Sequence, residues 1–339
     1  MALRFFRRRR AIGLDVGSAS IKALGLERRR SEVVVTGCAL QPVDPDADPR
    51  HVAQAIHAAL AAAGASGEPV VAAVGGPDVV IRQMALPPLP PAKILPALEL
   101  QHRELGILSP GDAVLDAQIL RPSHDGVSNE VLSVSVPRPR VDERLRLFEL
   151  AAVDVQILDV EPLAMLNGAM HLTGLGASEL LVLLTVGRRR SVLCLYSEQG
   201  PVVARYLATG MDTFLDQLHA YDLADPSAPD AVRLLSPAQV LRAEVACRDI
   251  VERIAEDVGL SLTFYRTEYD RDSLPRYAIG GALDVPHLGR WIADRLGLAA
   301  PLELMDPFKA IEVDDRAADG VGASGPQFLQ AFGLALRGL

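Results

Sequence analysis

The residues best suited to chemistry lie close together near the start of the chain, in the segment Gly13-Leu-Asp15-Val-Gly17-Ser18-Ala-Ser20-Ile-Lys22. Its alternation of apolar and polar residues predicts two strands joined by a tight turn. Gly17 has no Cβ, so backbone N–H groups of the turn can approach phosphate oxygens closely. Ser18 and Ser20 can add hydroxyl donors, and Lys22 can add a positive charge. Asp15, at the end of the first strand, could hold a hydrated Mg²⁺ ion through water. The spacing also fits a plain hairpin with an exposed Asp15, so both interpretations stay open.

A second segment with the same strand–turn–strand pattern runs over residues 179–196. It carries Thr185 where a second acid would be expected, then Gly187 and the run Arg188–Arg190. Threonine cannot serve as a general base at neutral pH, because its hydroxyl does not ionise there. The three arginines could attract phosphate, although a solvated turn is the simpler interpretation.

A third glycine-containing turn, Gly280-Gly281, follows an apolar strand and could give a flat backbone surface against a nucleotide base. On its own it is a weak indication, since such turns are common. The chain has no HExxH, GxSxG, Walker-type GxxxxGK or GxGxxG pattern. A histidine metal site, nucleophilic hydrolysis and Rossmann cofactor use therefore lack support.

Composition narrows the class of protein. The 339 residues suggest two domains or one bilobed unit, at roughly 150 residues per domain. A net charge of -9 argues against a general nucleic-acid binder, which needs a surplus of positive charge. The three cysteines lie far apart without a CxxC pair, which excludes a disulfide framework and a structural zinc site.

No stretch approaches the roughly 18 to 20 apolar residues that cross a bilayer, so the expected location is the cytoplasm. Phe5, Phe6 and Arg7–Arg10 could touch anionic lipid weakly, but a solvated terminus is the simpler interpretation.

Helices are predicted at about 50–63, 93–105, 141–152, 211–221, 238–268, 285–296 and 326–338, with further strands at about 70–74, 79–86, 113–121 and 130–136. Two hairpin-bearing halves separated by a small insert indicate a duplicated α/β architecture.

The chain resembles the PilM family of type IV pilus assembly proteins, relatives of the cell-division protein FtsA, over nearly its full length. The resemblance rests on residues 12–24, 71–87, 97–116, Asp159-Val-Glu-Pro-Leu-Ala164, residues 278–298, Asp306-Pro-Phe308 and the ending GLALRGL. Each stretch is weak alone, and their shared order makes them fairly specific.

The resemblance implies a two-lobed actin-like α/β fold, which duplicates a ribonuclease H-like unit, with a small inserted α+β subdomain. The implied division places the first lobe in residues 1–88, the insert in 89–155, a return to the first lobe and crossover in 156–178, the second lobe in 179–325, and a C-terminal helix packing back on the first lobe in 326–339.

It further implies that ATP or ADP with Mg²⁺ binds in the cleft between the lobes. Carried over by position, the nucleotide-binding residues would be Asp15, Gly17, Ser18, Ser20, Lys22, Gly187, Gly210, Gly280, Gly281 and Ala282, with Asp15 holding Mg²⁺ through water. Family members grip the cytoplasmic N-terminal tail of PilN, a protein of the inner membrane, so their contact with the membrane is indirect. They can also form homo-oligomeric rings.

Two departures from the family pattern concern hydrolysis. The family's Asp-Ile-Gly is Thr185-Val-Gly187 here, and residues 229–235 lack the Glu and Lys expected to reach the adenosine. We therefore expect weak or absent ATPase activity and assign no catalytic residue.

Three other functions stay as alternatives. A scaffold of a related type II secretion or competence-pilus system would have nearly the same chemistry. An actin-fold sugar kinase would need a catalytic Asp, which no motif places. A division role like that of FtsA would want a C-terminal amphipathic membrane helix, and GLALRGL has no basic face.

Overall fold

The computed structural model describes residues 10–339 except 31, 45, 105–112, 122–126, 199, 225–231, 233–234, 271, 316 and 318–324. The Phe5–Phe6 and Arg7–Arg9 part of the possible lipid contact, and most of the 229–235 segment, lie outside the described residues. In the described part of the chain, every helix is too short or too polar to cross a bilayer.

The described strands and helices alternate along the chain. The strands are β1 (Arg10–Val16), β2 (Ser20–Arg29), β3 (Glu32–Pro42), β4 (Val70–Val74), β5 (Val80–Leu86), β6 (Ala113–Arg121), β7 (Asn129–Pro137), β8 (Val155–Val160), β9 (Glu179–Val186), β10 (Ser191–Tyr196), β11 (Val203–Leu207), β12 (Leu274–Gly281), β13 (Glu303–Leu304) and β14 (Glu312–Val313). The helices are α1 (Pro49–Ala62), α2 (Pro91–Glu104), α3 (Arg138–Leu150), α4 (Glu161–Thr173), α5 (Met211–Ala220), α6 (Pro237–Ala246), α7 (Arg248–Glu268), α8 (Leu288–Arg295), α9 (Pro307–Ala310) and α10 (Leu329–Gly338), with a 3-10 helix at Gly325–Phe328.

Two large sheets share one topology. The first has the order β14-β3-β2-β1-β4-β8 and the second the order β11-β10-β9-β12-β13. In each sheet an antiparallel hairpin is extended by a third antiparallel strand on one side and by two parallel strands on the other. The first sheet has one more strand, β14, which lies parallel to β3 at its edge. The hairpin β1–β2 thus corresponds to the hairpin β9–β10, as the duplicated pattern predicts.

Helices cover both faces of the first sheet, which explains why β1 is apolar at nearly every position. Leu14 packs in a cluster with Ile56 of α1 and Phe148 of α3. On the opposite face, a Cβ added at Gly13 would overlap the carbonyl oxygen of Ala331 in α10. The absence of a side chain at position 13 therefore lets the last helix lie directly on the central strand.

Helices α4 and α10 lie between the two large sheets. Ala164 of α4 and Leu334 of α10 are buried with Val71 of β4, whereas Met165 of α4 is buried with Leu181 of β9. One helix therefore contributes its two sides to the cores of both sheets.

The insert between β4 and β8 forms a third, smaller sheet with the order β5-β7-β6. Helix α2 packs on it through Leu98, which shares a small buried cluster with Leu86 and Val131. Glu312–Val313, inside the range predicted for the second lobe, pairs with β3 of the first sheet. The lobe boundaries themselves remain predictions.

Two sequence-based predictions differ from the structure in the second half of the chain, and one strand there was missed. The predicted helix 238–268 is divided into α6 and α7 at Cys247, whose φ of -89° and ψ of 4° interrupt the helix. The helix predicted at 285–296 is shorter and covers Leu288–Arg295. Strand β11 was not predicted, because its five residues include charged Arg205 and lack a clear alternation.

All three cysteines are buried free thiols. Burial raises the pKa of Cys38 to about 11 and that of Cys194 to about 12. These thiols are therefore protonated at neutral pH and behave as small apolar side chains.

Candidate functional site

The first hairpin brings Asp15 and Lys22 together. The two residues face each other in the register of β1 and β2, and Gly17 N–H donates a hydrogen bond to Ser20 O across the turn at 3.2 Å. Ser18 is exposed and Ser20 half-buried. Their hydroxyls have no hydrogen-bond partner among the described residues, which leaves them free to donate to a ligand.

The side chains of Asp15 and Lys22 form an ion pair with Nζ 3.1 Å from Oδ2, and they are only 8% and 12% exposed. A Cβ added at Gly17 would lie 3.3 Å from Lys22 Nζ. The ammonium group is therefore held by Asp15 directly against the turn, where a phosphate group would meet it.

The second hairpin repeats this turn. Gly187 N–H donates to Arg190 O at 3.0 Å, the counterpart of the Gly17 bond. Gly187 O accepts from Met211 N–H at 2.9 Å, at the start of α5. A Cβ added at Gly210 would overlap the backbone of Arg189. Gly210 therefore allows the start of α5 to sit on the second turn.

The Gly280–Ala282 segment lies beside the same turn. Gly280 is the parallel partner of Thr185 in the register of β12 and β9. Gly281 has a φ of +92°, which favours glycine, and Ala282 N–H donates to Val186 O at 2.7 Å. The residues predicted for the adenosine side therefore lie next to the second turn.

A chain of contacts connects the two turns. Val43 N–H, after the end of β3, donates to Ala19 O in the first turn at 2.9 Å. Three residues further along, Asp46 accepts a hydrogen bond at 2.8 Å from Nη2 of Arg189 in the second turn. An arginine of the second turn thus reaches the segment that contacts the first turn.

Glu161, the first residue of α4, is a member of this group that sequence reasoning missed. Tyr206 on β11 donates a hydrogen bond to its Oε2 at 3.3 Å, and a Cβ added at Gly75 would overlap its carboxyl group. Burial, followed by the negative charge of Asp15, raises the pKa of Glu161, while Arg144, Tyr206 and Lys22 oppose the shift. The segment Asp159-Val-Glu161-Pro is one of the stretches that carry the family resemblance, and it could have drawn attention to Glu161. No sequence pattern, however, shows that α4 begins beside Asp15.

The positive and neutral polar groups at the site suit a phosphate ligand. The described residues contain no group of three or more His, Cys, Asp or Glu that could hold a metal ion. Thr185 is buried, and its Oγ1 has no hydrogen-bond partner within the described part of the chain. The glycine turns, Lys22 and the free hydroxyls fit a phosphate chain, whereas the role of Asp15 toward Mg²⁺ stays a prediction.

Comparison with known proteins shows which family nearly the whole chain matches. The family model described as type IV pilus assembly protein PilM matches residues 13–339. None of the curated proteins matches.

Solved structures resemble the chain over nearly its full length. A PilM–PilN type IV pilus biogenesis complex aligns with a TM-score of 0.79 and 24% identity, covering 98% of this chain and 99% of the other. The ethanolamine utilization protein EutJ from Carboxydothermus hydrogenoformans aligns with a TM-score of 0.54 and 13% identity, over 96% and 89% of the two chains. A diol dehydratase-reactivating factor in its nucleotide-free form aligns with a TM-score of 0.53 and 11% identity, covering 97% of this chain and 99% of the other. These likenesses confirm the predicted two-lobed actin-like α/β fold.

Proposed function

Because the chain belongs to the family of type IV pilus assembly proteins described as PilM, we propose that it is an actin-like scaffold of the pilus assembly platform. It would bind the cytoplasmic N-terminal tail of a PilN-like protein and thereby sit at the cytoplasmic face of the inner membrane. The match of the family model to residues 13–339 carries this proposal. The likeness to a solved PilM–PilN complex supports the choice of partner.

The insert offers a surface suited to a peptide tail. Strand β6 pairs only with β7 among the described strands, so its outer edge can receive an extended peptide through backbone hydrogen bonds. Ile119 and Leu120 on β6 are 37% and 39% exposed, and Leu100 on α2 is 53% exposed. Exposed apolar side chains beside an open strand edge are typical of a docking surface.

Titration calorimetry tests this proposal with the full chain and a synthetic peptide of the neighbouring PilN-like protein's cytoplasmic tail. The wild-type chain should bind the peptide, and Ile119→Lys with Leu120→Lys should weaken binding by about tenfold or more, because both side chains would lose apolar contacts. Leu260→Lys with Leu274→Lys is the matched control, since these side chains are 68% and 69% exposed but lie on α7 and β12. A wild-type chain that binds no tail peptide would contradict the proposed partner, and an equal loss in the control would contradict the β6 location.

A nucleotide is the second proposed ligand. The converging turns, Lys22 at the first and Gly210 behind the second, support ATP or ADP binding between the lobes, with weak or absent hydrolysis. Mg²⁺ held by Asp15 through water would supply charge neutralisation of the phosphates if it binds there. Assembly into a homo-oligomeric ring is part of the same proposal, and analytical ultracentrifugation with and without nucleotide tests it.

A further inference from the structure

We infer that the insert couples the two proposed ligands, with Tyr206 of the second sheet as the positioning residue that joins the lobes to the tail-binding surface. A nucleotide held between the lobes would thereby strengthen binding of the tail at β6. The inference rests on both proposed sites and deepens them, because it makes the nucleotide a regulator of tail binding.

The insert contacts both lobes through apolar side chains. It leaves the first sheet after β4, and its strand β5 lies beside β11 at the edge of the second sheet. Ile81 on β5 and Leu132 on β7 pack against the buried cluster that contains Val192 and Val202 of the second half of the chain. Ile81 also packs against the cluster around Val74 of β4. One side chain of the insert therefore touches the cores of both lobes.

Tyr206 on β11 adds a polar contact at the same junction. Its hydroxyl donates a hydrogen bond to Oε2 of Glu161, at the start of α4, at 3.3 Å. Burial raises the pKa of Tyr206, and the backbone of Gly76 opposes that rise, so the loop that enters the insert also lies against this hydroxyl. A Cβ added at Gly75 would overlap the Glu161 carboxyl group, which shows how closely this loop and α4 pack. The Tyr206 hydroxyl of the second sheet thus meets both α4 and the entrance to the insert.

The loop at the entrance to the insert is held firmly rather than left free to bend. Gly76 has a φ of +128°, and a Cβ added there would lie 3.0 Å from Cζ of Arg140. Arg140 binds the Asp78 carboxylate through two hydrogen bonds, Nε to Oδ2 at 2.9 Å and Nη2 to Oδ1 at 3.1 Å. Paired hydrogen bonds of this kind fix geometry. A movement of the second sheet must therefore carry the entrance of the insert with it or break the contacts of Tyr206.

The two edges of the insert sheet face different partners. The order β5-β7-β6 places β5 on the side of the second lobe and β6, where the tail is proposed to bind, at the opposite edge. A nucleotide that holds the two lobes together would keep Tyr206 on Glu161 and would order the sheet from the β5 side. The tail would then bind a sheet that has already lost its freedom of movement, which makes the two binding events cooperative.

Titration calorimetry of the tail peptide into the full chain, in Mg²⁺ buffer with and without saturating ADP, tests the inference. ADP should strengthen peptide binding by about fivefold or more, and saturating peptide should strengthen ADP binding by the same factor, because coupling between two sites is reciprocal. Tyr206→Phe keeps the ring and removes the hydroxyl. Each ligand alone should bind this variant within about threefold of the wild type, while the coupling factor should fall below about twofold.

Tyr277→Phe is the matched control. Tyr277 is also a half-buried tyrosine of the second sheet, but it packs on the opposite face, against the cluster that contains Val258 of α7. This variant should keep the full coupling factor. Coupling that persists in Tyr206→Phe, or that falls equally in Tyr277→Phe, would overturn the role of Tyr206.

The wild-type chain supplies two further outcomes. Amide hydrogen exchange in β5 and β7 should become slower when ADP is added, and unchanged exchange there would contradict the inference without any variant. Equal peptide affinity with and without ADP would overturn the coupling and leave both proposed sites standing. A chain that fails to bind one of the ligands alone would overturn the coupling together with that site, and the separate titrations identify which site it is.

Discussion

For the Asp15–Lys22 ion pair, the free energy of forming the pair and the cost of removing one partner differ, because both side chains are almost fully removed from water. Forming the pair requires both charges to lose their hydration, so its net contribution to stability is small. Breaking it by removing one partner leaves an unpaired buried charge, which is strongly unfavourable. The lysine is therefore fixed at the turn by a partner that it cannot easily lose.

Lys22→Met should lower the free energy of unfolding by roughly 3 kcal/mol, because it leaves the Asp15 carboxylate buried without a partner. Urea denaturation of the variant and the wild type measures this change. The double variant Asp15→Asn/Lys22→Met should recover most of the loss, since neither charge remains. If the effects of the single substitutions Asp15→Asn and Lys22→Met add without coupling in the double variant, the ion pair does not exist as described.

His102 in α2 is a second buried polar residue with consequences for stability. It is 3% exposed, its Nε2 lies 2.9 Å from Ser133 Oγ, and its Nδ1 has no partner among the described residues. Burial, followed by the positive charge of Arg82, lowers the pKa of His102. The folded insert therefore holds the neutral imidazole.

Because the pKa of His102 is lower in the folded chain than its ordinary value of 6.5, the folded state binds fewer protons than the unfolded state. Stability of the insert should then fall as the pH drops below about 6.5. Amide hydrogen exchange in β5 and β7 at about pH 5 and about pH 7.5 measures the effect locally, which separates it from His171, whose pKa is also lowered. His102→Gln should remove the pH dependence in this window, whereas exposed His57→Gln should leave it; the reverse result would refute the assignment.

At the scale of elements, the packing of α10 depends on glycines. A Cβ added at Gly333 would overlap the carbonyl oxygen of Ala164 in α4, while one at Gly13 would overlap Ala331 of α10. Backbone atoms cannot move aside as flexible side chains can. The last helix therefore fits between β1 and α4 only where side chains are missing.

Gly333→Ala should destabilise the chain by about 2 to 3 kcal/mol through this overlap, although alanine ordinarily favours a helix. Gly259→Ala in α7 is the matched control, because an added Cβ there meets nothing within 4 Å. That substitution should stabilise by up to about 1 kcal/mol. Thermal melts of the two variants should move in opposite directions, and a shift of both in the same direction would contradict the packing argument.

An element can be predicted from the sequence when the pattern that specifies it lies within a short segment of the chain. The β1–β2 and β9–β10 hairpins were predictable because period-two alternation on either side of Gly17 and Gly187 is a local pattern. The break at Cys247 was not, since neither Gly nor Pro marks it. The contacts of Gly333 depend on residues far apart in the chain, which no local pattern shows.

For the candidate site, the structure shows where the predicted residues lie, while their binding of a nucleotide stays a prediction. Gly17 and Gly187 stand out in local turn patterns, Gly210 was named only through the family resemblance, and the structure gives each a turn or a close backbone approach. Glu161 was missed because its neighbours Asp15 and Tyr206 come from other elements. The Arg189–Asp46 contact was equally hidden, since it joins residues of the two halves.

On the scale of the whole molecule, duplication gave two matching turns that no longer carry matching chemistry. One turn keeps Asp15 with Lys22, and the other has Thr185 followed by arginines. We expect ATP turnover near the background rate in a phosphate-release assay, because the second acid is missing. Turnover that disappears in Asp15→Ala would contradict this expectation, and a parallel measurement on Arg253→Gln, remote from both turns, controls for contaminating ATPases.

The position of α10 also has a consequence for the order of events at the ribosome. Strands β1 to β4 of the first sheet emerge early, yet α10, which covers β1, lies far downstream in the chain, so this face of the sheet stays partly bare until residues 329–338 have emerged. The later-made half, by contrast, has nearly all of its own strands before α10 leaves the exit tunnel. Nascent chains arrested before residue 329 should therefore recruit chaperones to the N-terminal strands, and release of the full chain should end that recruitment.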